Sequence, residues 1–215
     1  TSASKERVKR WSDVTGEIRI FGEEVEYGKG KKKDSFIRYS TSLGVKNDGS
    51  EDVSEIVNRY TKETALYFPA GQYKVCQPLV IENPIFGAGY ARGPQADAGH
   101  TWLISEIAHE DTDPLHETGV IRFGGSGHFT VENLNIRCHS HECGIYINPC
   151  VQSTATFVNK VGIYNMRGYG LLATKGPETP GFASRPLFLQ NMTIFGTADY
   201  PYPCVGIQLD ERIGD

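Results

Sequence analysis

Short runs in which apolar and polar residues alternate recur along the chain, separated by turn residues, and each such run predicts a half-buried strand. Ala65-Leu66-Tyr67-Phe68 and Gln72-Tyr73-Lys74-Val75 flank a Pro69-Ala70-Gly71 turn, and Pro78-Leu79-Val80-Ile81 follows. A different spacing occurs at Val53, Ile56, Val57 and Tyr60, where i, i+3, i+4, i+7 predicts a helix of about two turns with one apolar face to bury. Asn47-Asp48-Gly49 ahead of it supplies the positive-φ positions of a tight turn, and Asp52 with Glu55 predicts a capping box. Residues 1–42 are polar, charged and punctuated by glycine, with one alternating stretch at Glu17-Ile18-Arg19-Ile20-Phe21, and form a lead-in segment to a domain spanning residues 43–215.

That domain carries a degenerate internal repeat. Val131-Glu132-Asn133-Leu134, Phe157-Val158-Asn159-Lys160 and Phe188-Leu189-Gln190-Asn191 each place an Asn after an apolar alternation. Behind each comes a glycine-led strand: Gly144-Ile145-Tyr146-Ile147, Gly170-Leu171-Leu172-Ala173 and Gly206-Ile207-Gln208-Leu209. The first two units lie 26 residues apart by either marker (159 − 133, 170 − 144), and the third is lengthened by insertions. Short strands, fixed corners and insertions between them predict a solenoid whose coils close their core only by stacking; an ordinary β-sandwich is the alternative.

Composition narrows the class further. With 24 Gly and 11 Tyr against two Met, the chain is β-rich rather than a helical bundle. A net charge of −4 argues against nucleic acid as a partner, and the basic run Lys29-Gly30-Lys31-Lys32-Lys33 is expected to be a solvated loop. No apolar run approaches the roughly 20 residues of a membrane helix. Five cysteines leave an odd thiol, so reduced, mostly buried thiols are expected rather than a disulfide framework.

Residues 44–81, with the Asn-Asp-Gly turn, the short helix, and Leu66-Tyr67-Phe68-Pro69-Ala70-Gly71-Gln72-Tyr73 followed by Pro78-Leu79-Val80-Ile81, resemble the opening of the pectate-lyase-like right-handed parallel β-helix superfamily. The resemblance implies an all-β, right-handed parallel β-helix whose short N-terminal helix caps the first coil. It also implies a glycan substrate, since the superfamily contains polysaccharide lyases, glycoside hydrolases and phage tailspikes. Among these a tailspike-like protein fits the polar lead-in best: a homotrimer on a virion tail that binds and cleaves a bacterial surface polysaccharide. A secreted lyase or hydrolase of the same fold, or a non-catalytic adhesive β-helix, are the alternatives. With no cap at its far end, the solenoid is expected to continue beyond residue 215.

Cleavage of a glycosidic bond needs two carboxylates about 5–10 Å apart. The candidates are Glu132, Glu142, Asp199, Asp210 and Glu211, with Glu142, Asp210 and Glu132 expected to be catalytic. Asp210 and Glu211, adjacent on an extended stretch, would point to opposite faces. Arg137-Cys138-His139-Ser140-His141-Glu142-Cys143 is the densest cluster of reactive side chains, and its spacing fits no common zinc site. His139 and His141 are instead expected to contact sugar, with Tyr146 and Asn148. No metal and no cofactor are implied. Residues 87–94 and 109–117 read as insertions between coils.

Overall fold

The computed structural model describes residues 25–26, 36–97, 99–108, 119–124, 129–139, 143–147, 156–173, 187–196 and 204–209. The described chain is all-β apart from one short helix and a single 3-10 turn at Ser40–Leu43. Its strands are β1 (Val25–Glu26), β2 (Phe36–Tyr39), β3 (Asp48–Asp52), β4 (Ala65–Phe68), β5 (Gly71–Val75), β6 (Leu79–Ile81), β7 (Ile85–Gly87) and β8 (Thr101–Ser105). They continue with β9 (Ile121–Phe123), β10 (Phe129–Arg137), β11 (Ile145–Ile147), β12 (Thr156–Met166), β13 (Tyr169–Ala173), β14 (Leu187–Gln190), β15 (Thr193–Gly196) and β16 (Val205–Leu209). Helix α1 is Ser54–Tyr60. No helix among the described residues is long and apolar enough to cross a membrane.

Except for the antiparallel pair β1–β2, the described pairings are parallel and fall into two sheets. The larger sheet has two arms. In the first arm β2, β4, β7, the start of β10, the start of β12 and β14 are neighbours. The second arm contains β3, β5, β8, the end of β10, the end of β12 and β15. The smaller sheet runs β6, β9, β11, β13, β16. From β4 onward the chain visits first arm, second arm and smaller sheet in that order, five times over.

Strand alternation turns this path into continuous apolar columns. Leu66, Ile85, Val131 and Val158 are in register and fully buried in the first arm. Tyr73, Leu103, Ile136 and Ile163 do the same in the second arm. Leu79, Ile121, Ile145 and Leu171 do so in the smaller sheet. Each fully buried aliphatic chain contributes about 1.5–3 kcal/mol, and the three columns meet in one core. Burial of the Tyr73 phenol, whose hydroxyl donates to the Pro69 carbonyl at 2.9 Å, pushes its pKa up to about 12.

The predicted helix forms and buries the predicted stripe, with Val53 and Val57 in the core and Ile56 and Tyr60 packed against it. It lies against β6, the edge of the smaller sheet. There the Asn58 side chain accepts from the Val80 N–H at 2.8 Å and donates to the Pro78 carbonyl at 2.9 Å, while Thr61 Oγ1 donates to the Val80 carbonyl at 3.2 Å. The helix thus supplies the hydrogen bonds that a further strand would have made, which blunts the edge. The capping box does not form. Asp52 lies at the end of β3 and accepts from the Ser54 N–H, the Ser54 hydroxyl and the Cys76 N–H, tying the helix start to the chain after β5.

The glycine-led strands stack as the repeat predicts: Ile145, Leu171 and Ile207 are parallel neighbours in one sheet. The Asn markers need a correction of one residue. Asn159 pairs with Glu132, and the corner between the arms is made by Asn133, Lys160 and Asn191, at φ of 61°, 51° and 50°. Left-handed backbone favours Asn, so an Asn one place before the Lys160 corner misleads the alignment.

Candidate functional site

Strands β10 and β12 cross both arms, so their outward side chains line two adjoining outer faces. On the first arm, Tyr67, Phe86, Glu132, Asn159 and Gln190 stand in one registered row. Thr130, Phe157 and Phe188 form the parallel row two residues earlier. Val131 and Val158 point inward between them and Phe129 just before them, so the strand period alone places these rows outside.

The Phe157 and Phe188 rings lie parallel, 7° apart in plane with centroids at 4.7 Å, and remain 40% and 43% exposed. Beside them runs a chain of amides that ends on an acid. Asn191 Nδ2 donates to Asn159 Oδ1 at 3.1 Å, and Asn159 Nδ2 donates to Glu132 Oε1 at 2.7 Å. Glu132 is half-buried and sits between the Phe86 ring position and this amide.

On the second arm the outer face is covered around Trp102, Asn135 and Tyr164, while Arg137 and Phe195, in register with Tyr164, stay exposed. Residues 88–97, which follow β7, pass over Trp102, Asn135 and Tyr164, with Ala91 and Ala96 packed there. Asn135, fully buried, accepts from the Ala91 N–H at 3.0 Å and donates to the Gly89 and Thr101 carbonyls at 3.2 and 3.0 Å. The Tyr164 hydroxyl donates to the Ala91 carbonyl at 2.6 Å, and the Tyr90 and Thr193 hydroxyls share a further hydrogen bond. Trp102 packs on Tyr164 with ring centroids 5.4 Å apart. Gly162 leaves the space for this arrangement: a Cβ there would stand 2.4 Å from the Tyr164 ring and 2.7 Å from Asn135 Oδ1. Near the end of the covering segment, His100 Nδ1 donates to Asp97 Oδ1 at 2.6 Å.

Of the residues singled out in the sequence, Glu132 lies on the open first-arm face. His139 is exposed two residues beyond the end of β10, past the corner from Glu132. Tyr146, 7% exposed, is packed against Cys143 and Leu172, which leaves its ring little surface for a ligand. Glu142, His141, Asn148 and Asp210, with Asp199 and Glu211, lie outside the described residues. Cys138 and Cys143 are buried, as expected, whereas Cys76 and Cys204 are only partly buried, and Cys150 lies outside the described residues. The structure adds Tyr67, Phe86, Phe157, Asn159 and Phe188. For Phe157, Asn159 and Phe188 the repeat holds a partial signal, since Phe157-x-Asn159 and Phe188-x-Gln190 each put an aromatic and an amide on one strand face, but only register brings the two faces together.

No family model and no curated protein matches the chain. Among solved structures it is similar to ORF18 of Geobacillus virus E2, at 14% identity and a TM-score of 0.47, over 80% of this chain and 40% of that one. The chain therefore spans less than half the length of that protein.

Proposed function

We propose that this chain is part of a tailspike-like, right-handed parallel β-helix on a virion tail, homotrimeric, that binds and cleaves a bacterial surface polysaccharide. The β-helix is supported by the three-strand circuit repeated in fixed order, by the apolar columns and by the helix over the β6 edge. The observation that carries the glycan reading is the first-arm face, where exposed stacked rings run beside a row of amide and carboxylate groups at strand spacing. Sugar rings are amphipathic in the same way, with apolar C–H faces and hydroxyl edges.

One feature favours a purely binding role for this face. The Asn159 amide donates to Glu132, a bond suited to a carboxylate that accepts rather than to an acid that gives up a proton. Cleavage on this reading belongs to acids elsewhere, such as Glu142 and Asp210. Titrating the protein with capsule and O-antigen polysaccharides, and sizing both the glycans and the native protein, tests the proposal. Binding with shortened glycan and a trimer is the expected result. Binding with intact glycan removes the enzyme, a monomer favours a secreted enzyme of the same fold, and no binding removes the function altogether.

A further inference from the structure

The open first-arm face has a definite electrostatic character. Its rings, Phe157 and Phe188, present π faces that are weakly negative and attract the weakly positive C–H groups of a pyranose. One row across, Glu132 offers carboxylate oxygens and Asn159 and Gln190 offer amides. Among the described residues of β10, β12 and β14, the other charged side chains are Lys160 at the corner and Arg137 on the second arm, both exposed, where solvent and salt screen them. Glu132 is half-buried and is screened less.

We infer, building on the glycan-binding reading above, that this face takes an uncharged polysaccharide strand and discriminates against sugars that carry carboxylates. The strand lays an apolar ring face on Phe157 and Phe188 and donates hydroxyls to Glu132, while a uronic or sialic acid brings a second negative charge against that carboxylate. A second copy of the chain fits the face less well. Two phenylalanines at 40% and 43% exposure offer roughly 150–200 Å² together, far below the roughly 800 Å² per partner of a stable interface. The polar row beside them also suits a ligand with hydroxyls better than an apolar partner surface.

The test uses the whole chain and two matched probe sets: oligosaccharides of glucose, galactose and N-acetylglucosamine, and oligosaccharides of equal length containing glucuronate, galacturonate or sialic acid. Calorimetric titration is expected to show binding within the neutral set. Phe157→Ala is expected to weaken that binding by about tenfold or more, the loss of one stacked ring. Phe157→Leu, which keeps the apolar volume and so guards against a folding artefact, is expected to weaken it as well. Glu132→Gln is expected to narrow the preference for neutral over acidic probes. Binding confined to acidic probes, or neutral binding that both Phe157 variants leave unchanged, overturns this inference while the glycan reading stands. Binding to neither set overturns the two together.

Discussion

The two outer faces of β10 and β12 are built on the same strands, one residue apart at the Asn133–Lys160–Asn191 corner, yet around Tyr164 and Phe157 they meet solvent in opposite ways. On the second arm, Trp102 and Tyr164 are buried under residues 88–97 and Asn135 has its amide hydrogen-bonded through both atoms. On the first arm, Phe157 and Phe188 stand open beside Glu132 and Asn159. Aromatic and amide side chains are common to both, so composition does not separate them. Cover does: Trp102, Tyr164 and Asn135 lie buried under the chain's own loop and contribute stability, whereas Phe157 and Phe188 remain 40% and 43% exposed beside amide and carboxylate groups that are hydrogen-bonded to one another.

Truncating one large ring on each face breaks the comparison most severely. Trp102→Ala removes a fully buried indole from beneath the covering segment and is expected to cost about 3–5 kcal/mol. Phe157→Ala removes a ring already 40% exposed and is expected to cost about 1 kcal/mol or less. Urea unfolding of the two variants checks this, and equal losses would mean that the faces do not differ in the way described. Asn135→Leu comes next. It leaves the Ala91 N–H without a partner and takes one donor from each of the Gly89 and Thr101 carbonyls, of which Gly89 still accepts from the Thr101 N–H, at about 1–3 kcal/mol, and is expected to open residues 88–97 to limited proteolysis. Unchanged protease resistance would show that the cover is held by something other than Asn135.

How much of this could be read beforehand differs from element to element. The helix was legible because one apolar stripe, Val53, Ile56, Val57 and Tyr60, is a local signal, and the stacking of the smaller sheet was legible because Gly144, Gly170 and Gly206 lead each strand. The corner row was misplaced by one because a left-handed Lys160 carries no mark that distinguishes it from its neighbour Asn159. The sequence marks residues 87–94 as an insertion but not the face they cover. That depends on Asn135, 44 residues from Ala91, and on Thr193, 103 residues from Tyr90, and no local pattern encodes pairings so distant. The open face escaped for a related reason. A lone Phe157 is an unremarkable surface residue, and it becomes a platform only when register brings Phe188 to 4.7 Å.

The smallest effect concerns the end of the covering segment, where pH can distinguish the faces. A hydrogen bond from His100, joined by one from the Gly99 N–H, lowers the Asp97 pKa from its ordinary 3.8. A carboxyl whose pKa is lower in the folded state contributes stability above the unfolded value and loses it as the pH falls through the lowered one. The contribution of Asp97 is therefore complete near neutrality and fades below pH 3.8. Asp97 and His100 are both exposed, so the effect is local rather than global. Hydrogen exchange at the Gly99 amide is expected to be faster in Asp97→Asn than in the parent at pH 6, with the difference shrinking below pH 3.8. The amides of β12 beside Phe157 are expected to show no such limb, and a difference at Gly99 that persists undiminished into acid would show that Asp97 holds the segment by shape and not by charge.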